Sequence, residues 1–144
     1  MRPVVVFDVN ILVSAFGWRG APYRCVQAAR QGRVASVTCQ EILDLLEEKL
    51  RTRLGKSAYD AHRAVSEIKA FSRVVTIPGT LHAVLQDPED NKVIECALAG
   101  GATHIVSGDK RHLLALGSYH GIQIITARAL LELIGEVNSV GGTE

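Results

Sequence analysis

Cysteine, aromatic side chains and an excess of either charge are all scarce in these 144 residues. The three cysteines, Cys25, Cys39 and Cys96, are odd in number and show no CxxC spacing, which speaks for a reducing cytosol rather than a disulfide framework. Sixteen Lys and Arg stand against 15 Asp and Glu, and a net charge of +1 excludes a histone-like or polybasic binder that works by bulk charge. It leaves room for a local basic surface. No apolar run approaches the roughly 20 residues that cross a bilayer. Val4 to Phe7 is cut short by Asp8 and Asn10, and no uncharged stretch with a small-residue cleavage site follows. The expectation is a cytoplasmic protein that neither spans nor anchors to a membrane.

The chain does have an average apolar share of 47%, enough for one core, and a length suited to one domain. Residues 1–136 are expected to form it, with the Gly-containing end, 137–144, as a flexible tail. Short β-branched runs recur at Pro3 to Phe7, Val34 to Thr38, Arg73 to Ile77, Thr103 to Ser107 and Ile122 to Thr126. Apolar on both faces, they match strands of a parallel sheet. Between them, Ala21 to Gln31, Gln40 to Arg53, Ser57 to Phe71, Asn91 to Ala99 and Ala127 to Ile134 carry helical periodicity. Parallel strands need long crossovers, so the alternation predicts a three-layer α/β/α sandwich around a central parallel sheet of about five strands.

In open α/β sheets the functional edge lies beyond the carboxyl ends of the strands. Asp8 ends the first strand, Asp109 follows the fourth in His104-Ile105-Val106-Ser107-Gly108-Asp109, and Asp90 opens the helix leading into that strand. Asp90 would also serve as an N-cap and Asp109 as a turn residue. Asp8 is harder to explain structurally, because a carboxylate continuing a buried apolar run needs a cation. Acids gathered on one edge repel one another unless a metal neutralises them. The five histidines show no HxxxH or HxH spacing, so oxygen ligands dominate and select Mg²⁺ or Mn²⁺ over zinc. Such an ion orients water and stabilises charge on a phosphate ester.

Asp8-Val9-Asn10 after a Val-rich strand, then Asp87-Pro88-Glu89-Asp90-Asn91-Lys92-Val93-Ile94, then Val106-Ser107-Gly108-Asp109-Lys110-Arg111-His112-Leu113-Leu114, resemble the PIN-domain nucleases. More narrowly, the chain is similar to VapC-type toxins of toxin–antitoxin systems, from Val4 to Leu133. The resemblance implies a metal-dependent endoribonuclease with Asp8, Asp90 and Asp109 around one or two Mg²⁺ or Mn²⁺ ions. Asn10 and Ser107 match small polar positions that hold carboxylates or water in place. It also implies a homodimer and an antitoxin partner, with RNA as substrate and no nucleotide cofactor. One position departs from the pattern: where the family carries a Glu in the second long helix, this chain has Leu45. Glu41, one turn earlier, either replaces it as a catalytic acid or only complements the helix dipole. Asp44 lies about 100° away around the helix.

Two other readings compete with the nuclease. A haloacid-dehalogenase-type phosphatase also places an Asp after strand one, but needs a second Asp where Asn10 stands. A PIN-like module with a degraded site would bind RNA or a partner without cutting. For RNA contact, the charge is unevenly divided: residues 1–73 hold 12 basic to 7 acidic side chains, and residues 74–144 hold 4 to 8. Arg19, Arg24, Lys110 and Arg111 adjoin the segments of Asp8 and Asp109 and are the expected phosphate contacts. Trp18, in a loop expected to be flexible, either stacks a base or packs.

Overall fold

The computed structural model describes residues 2–81 and 85–135. The tail expected from 137 onward lies outside them. Strand β1 (Val4–Phe7) is buried from Val5 to Phe7 and leads without a loop into α1 (Val9–Gly17). Helix α2 (Ala21–Arg30) begins with Pro22 in its first turn, where a fixed φ suits a helix start. Then come β2 (Ala35–Cys39), α3 (Gln40–Leu54), α4 (Ala58–Phe71) and β3 (Ser72–Val75). The second half runs α5 (Pro88–Gly100), β4 (His104–Val106), α6 (Leu113–Leu116), β5 (Ser118–Tyr119), β6 (Ile122–Ile125) and α7 (Ala127–Leu133).

The sheet has six strands in the order β3-β2-β1-β4-β6-β5. All neighbours pair in parallel except β5 and β6. The expected three-layer α/β/α architecture is therefore present, with one strand more than the five read from the sequence. That extra strand has two residues, too short to leave a periodic signal. Its turn, His120-Gly121, has φ of 50° and 83°, the positive pair that a two-residue hairpin of the right twist requires. Helix α1, unassigned in the sequence, forms because Val9, Ile11, Leu12, Val13 and Ala15 are all buried against neighbouring helices. Its last turn contains Phe16 and Gly17, and Trp18, expected in a loop, is its C-cap.

Helix α5 packs across β1, β2, β3 and β4, while α1, α2, α3, α4 and α7 pack on one another. Leu12, Ile42, Leu43, Leu46 and Leu50 fill one side of the core, and Ile94, Ile105, Leu113, Leu130 and Leu131 are equally buried. Among the described residues no helix is long and apolar enough to cross a membrane. Helix α5 starts three residues earlier than the periodicity indicates, because Asp87 accepts a hydrogen bond from Glu89 N at 2.9 Å and Pro88 occupies the first helical position. Asp90 is thus not the cap. It sits in the first turn with its carboxylate free for other work. Behind it, Asn91 brackets Leu85 through both its amide groups, and Glu95 Oε2 accepts from Gly79 N and Thr80 N at 2.8 and 3.1 Å. One face of α5 thereby fastens the connection from β3.

Gly100 closes α5 where the helix meets the sheet, and a Cβ there would collide with the Val37 side chain of β2. Gly100→Ala is expected to destabilise the protein by about 1–3 kcal/mol, as overpacking does. Urea unfolding would register this as a lower midpoint at an unchanged slope.

Candidate metal centre

The strand order places the switch point between β1 and β4, whose connections run to opposite sides of the sheet. Asp8 leaves the end of β1 and Asp109 follows β4, so the two acids flank this point. Asp8 is 7% exposed and is the N-cap of α1. Its Oδ1 accepts from Val9 N at 2.8 Å and its Oδ2 from the Ser107 hydroxyl at 2.9 Å. Ser107, fully buried, also accepts from Asp109 N at 3.0 Å. One hydroxyl therefore joins the first acid to the loop of the third. Asn10 lies on the surface, where its Oδ1 accepts from Arg53 Nη1 at 3.0 Å.

Asp90 comes in from α5 and is 6% exposed. Its Oδ2 has no hydrogen-bond partner among the described residues. An orphaned, buried carboxylate oxygen is costly unless a cation or a proton meets it. Asp109 is held from both sides: Oδ1 accepts from the backbone of Arg111 at 3.1 Å and of His112 at 3.3 Å, and Oδ2 lies 3.0 Å from His112 Nδ1. That ring nitrogen is 3.9 Å from Asp90 Oδ2. Ligand atoms of Asp90, Asp109 and His112 all lie within 4.8 Å of one another. Two carboxylate oxygens, one of them with no hydrogen-bond partner among the described residues, and an imidazole nitrogen fit a divalent metal ion.

The protonation behaviour records the same crowding. Burial pushes the Asp8 carboxyl up, against the hydrogen bonds from Ser107 and Val9, and the charge of Asp109 pushes the same way. Asp90 is raised to about 6, first by burial and then by the charges of Asp8, Asp87 and Asp109. Burial would also raise Asp109, but the hydrogen bonds from His112 and the backbone of Arg111 and His112 outweigh it and hold its carboxyl below the ordinary value. Lys49 of α3 is the cation whose field acts on Asp8.

Glu41 stands in the first turn of α3, where its charge acts on Cys39 and Cys96, and it is not among the groups acting on Asp8 or Asp90. Lys110 and Arg111 are exposed on the turn directly after Asp109. Arg19 stacks over Tyr23 at 5.2 Å and lines a cavity of about 440 Å³ with Phe16, Trp18, Arg30 and Glu67. That cavity adjoins the far end of α1, about 13 Å from Asp8 at 1.5 Å per residue. Arg24 is half-buried on α2, and its Nη2 has no partner among the described residues. Two groups at the centre escaped the sequence reading. His112 carries a signal in its three-residue spacing from Asp109, a carboxylate–imidazole pair rather than a pair of histidines. Lys49 had none, since only packing brings α3 against α5.

Carboxylates gathered at the switch point of a doubly wound α/β sheet define a candidate metal site on an α/β/α architecture. The PIN domain profile matches residues 4–111, and the chain belongs to the PIN-domain family, a nuclease fold whose members generally depend on divalent metal ions. Among curated proteins, no sequence matches the chain significantly.

Two outcomes follow for the metal-free protein. Because Asp90 binds its proton more tightly when folded than when unfolded, its contribution to stability is complete below the unfolded value of 3.8 and is lost as pH rises through about 6. In EDTA the melting temperature should therefore fall across that window, and less steeply in Asp90→Asn. His112→Ala removes the ring that meets Asp109 Oδ2 and should weaken Mn²⁺ binding by about 10- to 100-fold in calorimetry.

Proposed function

We propose that this protein is a Mg²⁺- or Mn²⁺-dependent endoribonuclease, the toxin of a toxin–antitoxin pair. The observation that carries the reading is the unpartnered, buried Asp90 Oδ2 facing Asp109 and His112, beside Asp8. When bound there, a divalent ion supplies Lewis acidity toward a phosphodiester and lowers the pKa of its water. Asp8, Asp90 and Asp109 hold that charge in place. The Ser107 hydroxyl and His112 ring fix the first and third acids, so little reorganisation is needed when substrate arrives. One of the three carboxylates would also serve as the acceptor for the proton of the attacking water. Lys110 and Arg111 flank the centre as phosphate contacts, and Arg19 and Arg24 are assigned to more distant parts of the strand. A cytoplasmic location, a homodimer and an antitoxin complete the reading, supported by the family resemblance.

A second reading has a specific observation behind it. Leu45 takes the place of a fourth acid, Glu41 acts on Cys39 rather than on Asp8, and a lysine stands near Asp8 instead. A PIN domain so altered would bind RNA or a partner without cutting. The phosphatase alternative loses ground, because Asn10 has no proton to give and is engaged by Arg53.

Incubation with a mixed RNA panel separates these readings. Wild type is expected to cut with Mg²⁺ or Mn²⁺ and not in EDTA, whereas Asp8→Asn, Asp90→Asn and Asp109→Asn each lose at least about 100-fold in rate, the scale of a lost electrostatic or acid–base group. Cutting in EDTA, or full activity of Asp8→Asn, would refute the mechanism. Binding without cutting at any metal concentration would favour the second reading. Growth arrest on expression, relieved by a co-encoded small protein, tests the toxin assignment.

A further inference from the structure

Helix α3 turns two cations toward the acids. Lys49 Nζ lies 3.2 Å from Glu89 Oε1, the neighbour of Asp90 in sequence, and its side chain is only 12% exposed. One turn further on, the Arg53 guanidinium reaches Asn10, two residues beyond Asp8. Lys49 and Arg53 are four residues apart, so they form one stripe along the helix with Cβ atoms about 6 Å apart. The same stripe contains Leu45 one turn earlier.

The surroundings of this stripe are strongly negative. Asp8, Asp87, Glu89, Asp90 and Asp109 cluster where α1, α5 and the loop after β4 meet, and an incoming phosphodiester is repelled by all of them. A lysine stem ordered and largely buried here forfeits rotamer freedom and hydration that a pair with a half-exposed Glu89 does not return. Arg53 is exposed at its outer edge and uses one of its five N–H donors on Asn10. Both cations thus keep capacity for an anion, and their stems leave the helix one turn apart.

We propose that Lys49 and Arg53 form a phosphate-binding stripe that guides a single RNA strand along α3 into the acid cluster, Lys49 at the phosphate beside the carboxylates and Arg53 at the next. The assignment rests on the ribonuclease reading for its ligand. Lys49 passes from Glu89 to the phosphate when the strand enters, while the charge that attracts RNA also opposes a divalent ion near Asp8. Removal of that charge therefore acts in opposite directions on the two ligands. A purely structural role cannot do this, since loosened packing weakens both.

The experiment compares Lys49→Met, Arg53→Met and Lys49→Arg. Mn²⁺ binding is measured by calorimetry without RNA. Binding of a fluorescent single-stranded RNA is measured by anisotropy across a salt series in the Asp109→Asn background, where the strand stays whole. Lys49→Met should weaken RNA binding by about fivefold, flatten the slope of log affinity against log salt by about 0.7, and tighten Mn²⁺ binding. Arg53→Met should flatten the slope equally and leave Mn²⁺ binding unchanged, and Lys49→Arg should keep both affinities. Unchanged RNA affinity and slope in both Met variants overturns the proposal, as does Mn²⁺ binding that weakens together with RNA binding. Because Arg53 is exposed, its variant remains decisive if Lys49→Met does not fold. Failure of wild type to cut RNA, with the stripe effects intact, would instead refute the nuclease reading alone.

Discussion

A carboxylate taken out of water must be met by a hydrogen-bond donor, a proton or a cation, and the whole functional edge of this molecule is arranged around that requirement. Asp8 continues a buried strand, and its two oxygens are answered by a backbone amide and by Ser107. The hydroxyl that answers it belongs to Ser107, directly after the strand neighbouring β1 in the sheet, so the β1–β4 pairing brings the two together. Asp90 keeps a buried oxygen with no partner among the described residues, and burial with the neighbouring acid charges raises its carboxyl to about 6, so the centre suits a divalent ion. Three acids that would destabilise a purely structural protein are thereby held within reach of one another.

The same edge explains the near balance of charge. A basic first half and an acidic second half of the chain meet there, with Lys49 against Glu89 across α3 and α5. Neutrality in the total thus conceals a local pairing of opposite fields. On the proposed ribonuclease reading, the acids would hold the metal, the metal and the lysine would attract phosphate, and RNA binding would need no excess of positive charge over the whole surface. On that reading, charge concentrated in this way would favour one register of a strand over diffuse attraction along it.

Much of this was legible in the residues. The alternation of short β-branched runs with longer amphipathic segments reveals the layered α/β plan, because two-sided burial of parallel strands leaves continuous apolar runs. Asp8, Asp90 and Asp109 stand out because each adjoins a strand end or a helix start on the same edge. What escaped notice was short or non-local. Strand β5 has two residues; α1 looks like a continuation of the apolar run of β1; and the start of α5 was set by Asp87 and Pro88 rather than by the first apolar repeat. His112 has a carboxylate as its partner, so histidine spacing carries no trace of it.

By itself the sequence determined the plan of the sheet and the identity of the acids, since both depend on local period and on residue type. Tertiary structure decided which groups face those acids. Glu41, the acid on α3 nearest in sequence to the missing one, acts on Cys39, while Lys49 two turns later reaches Glu89 and the field of Asp8. The difference lies in how α3 is seated on α5, a consequence of long-range packing that no local spacing encodes.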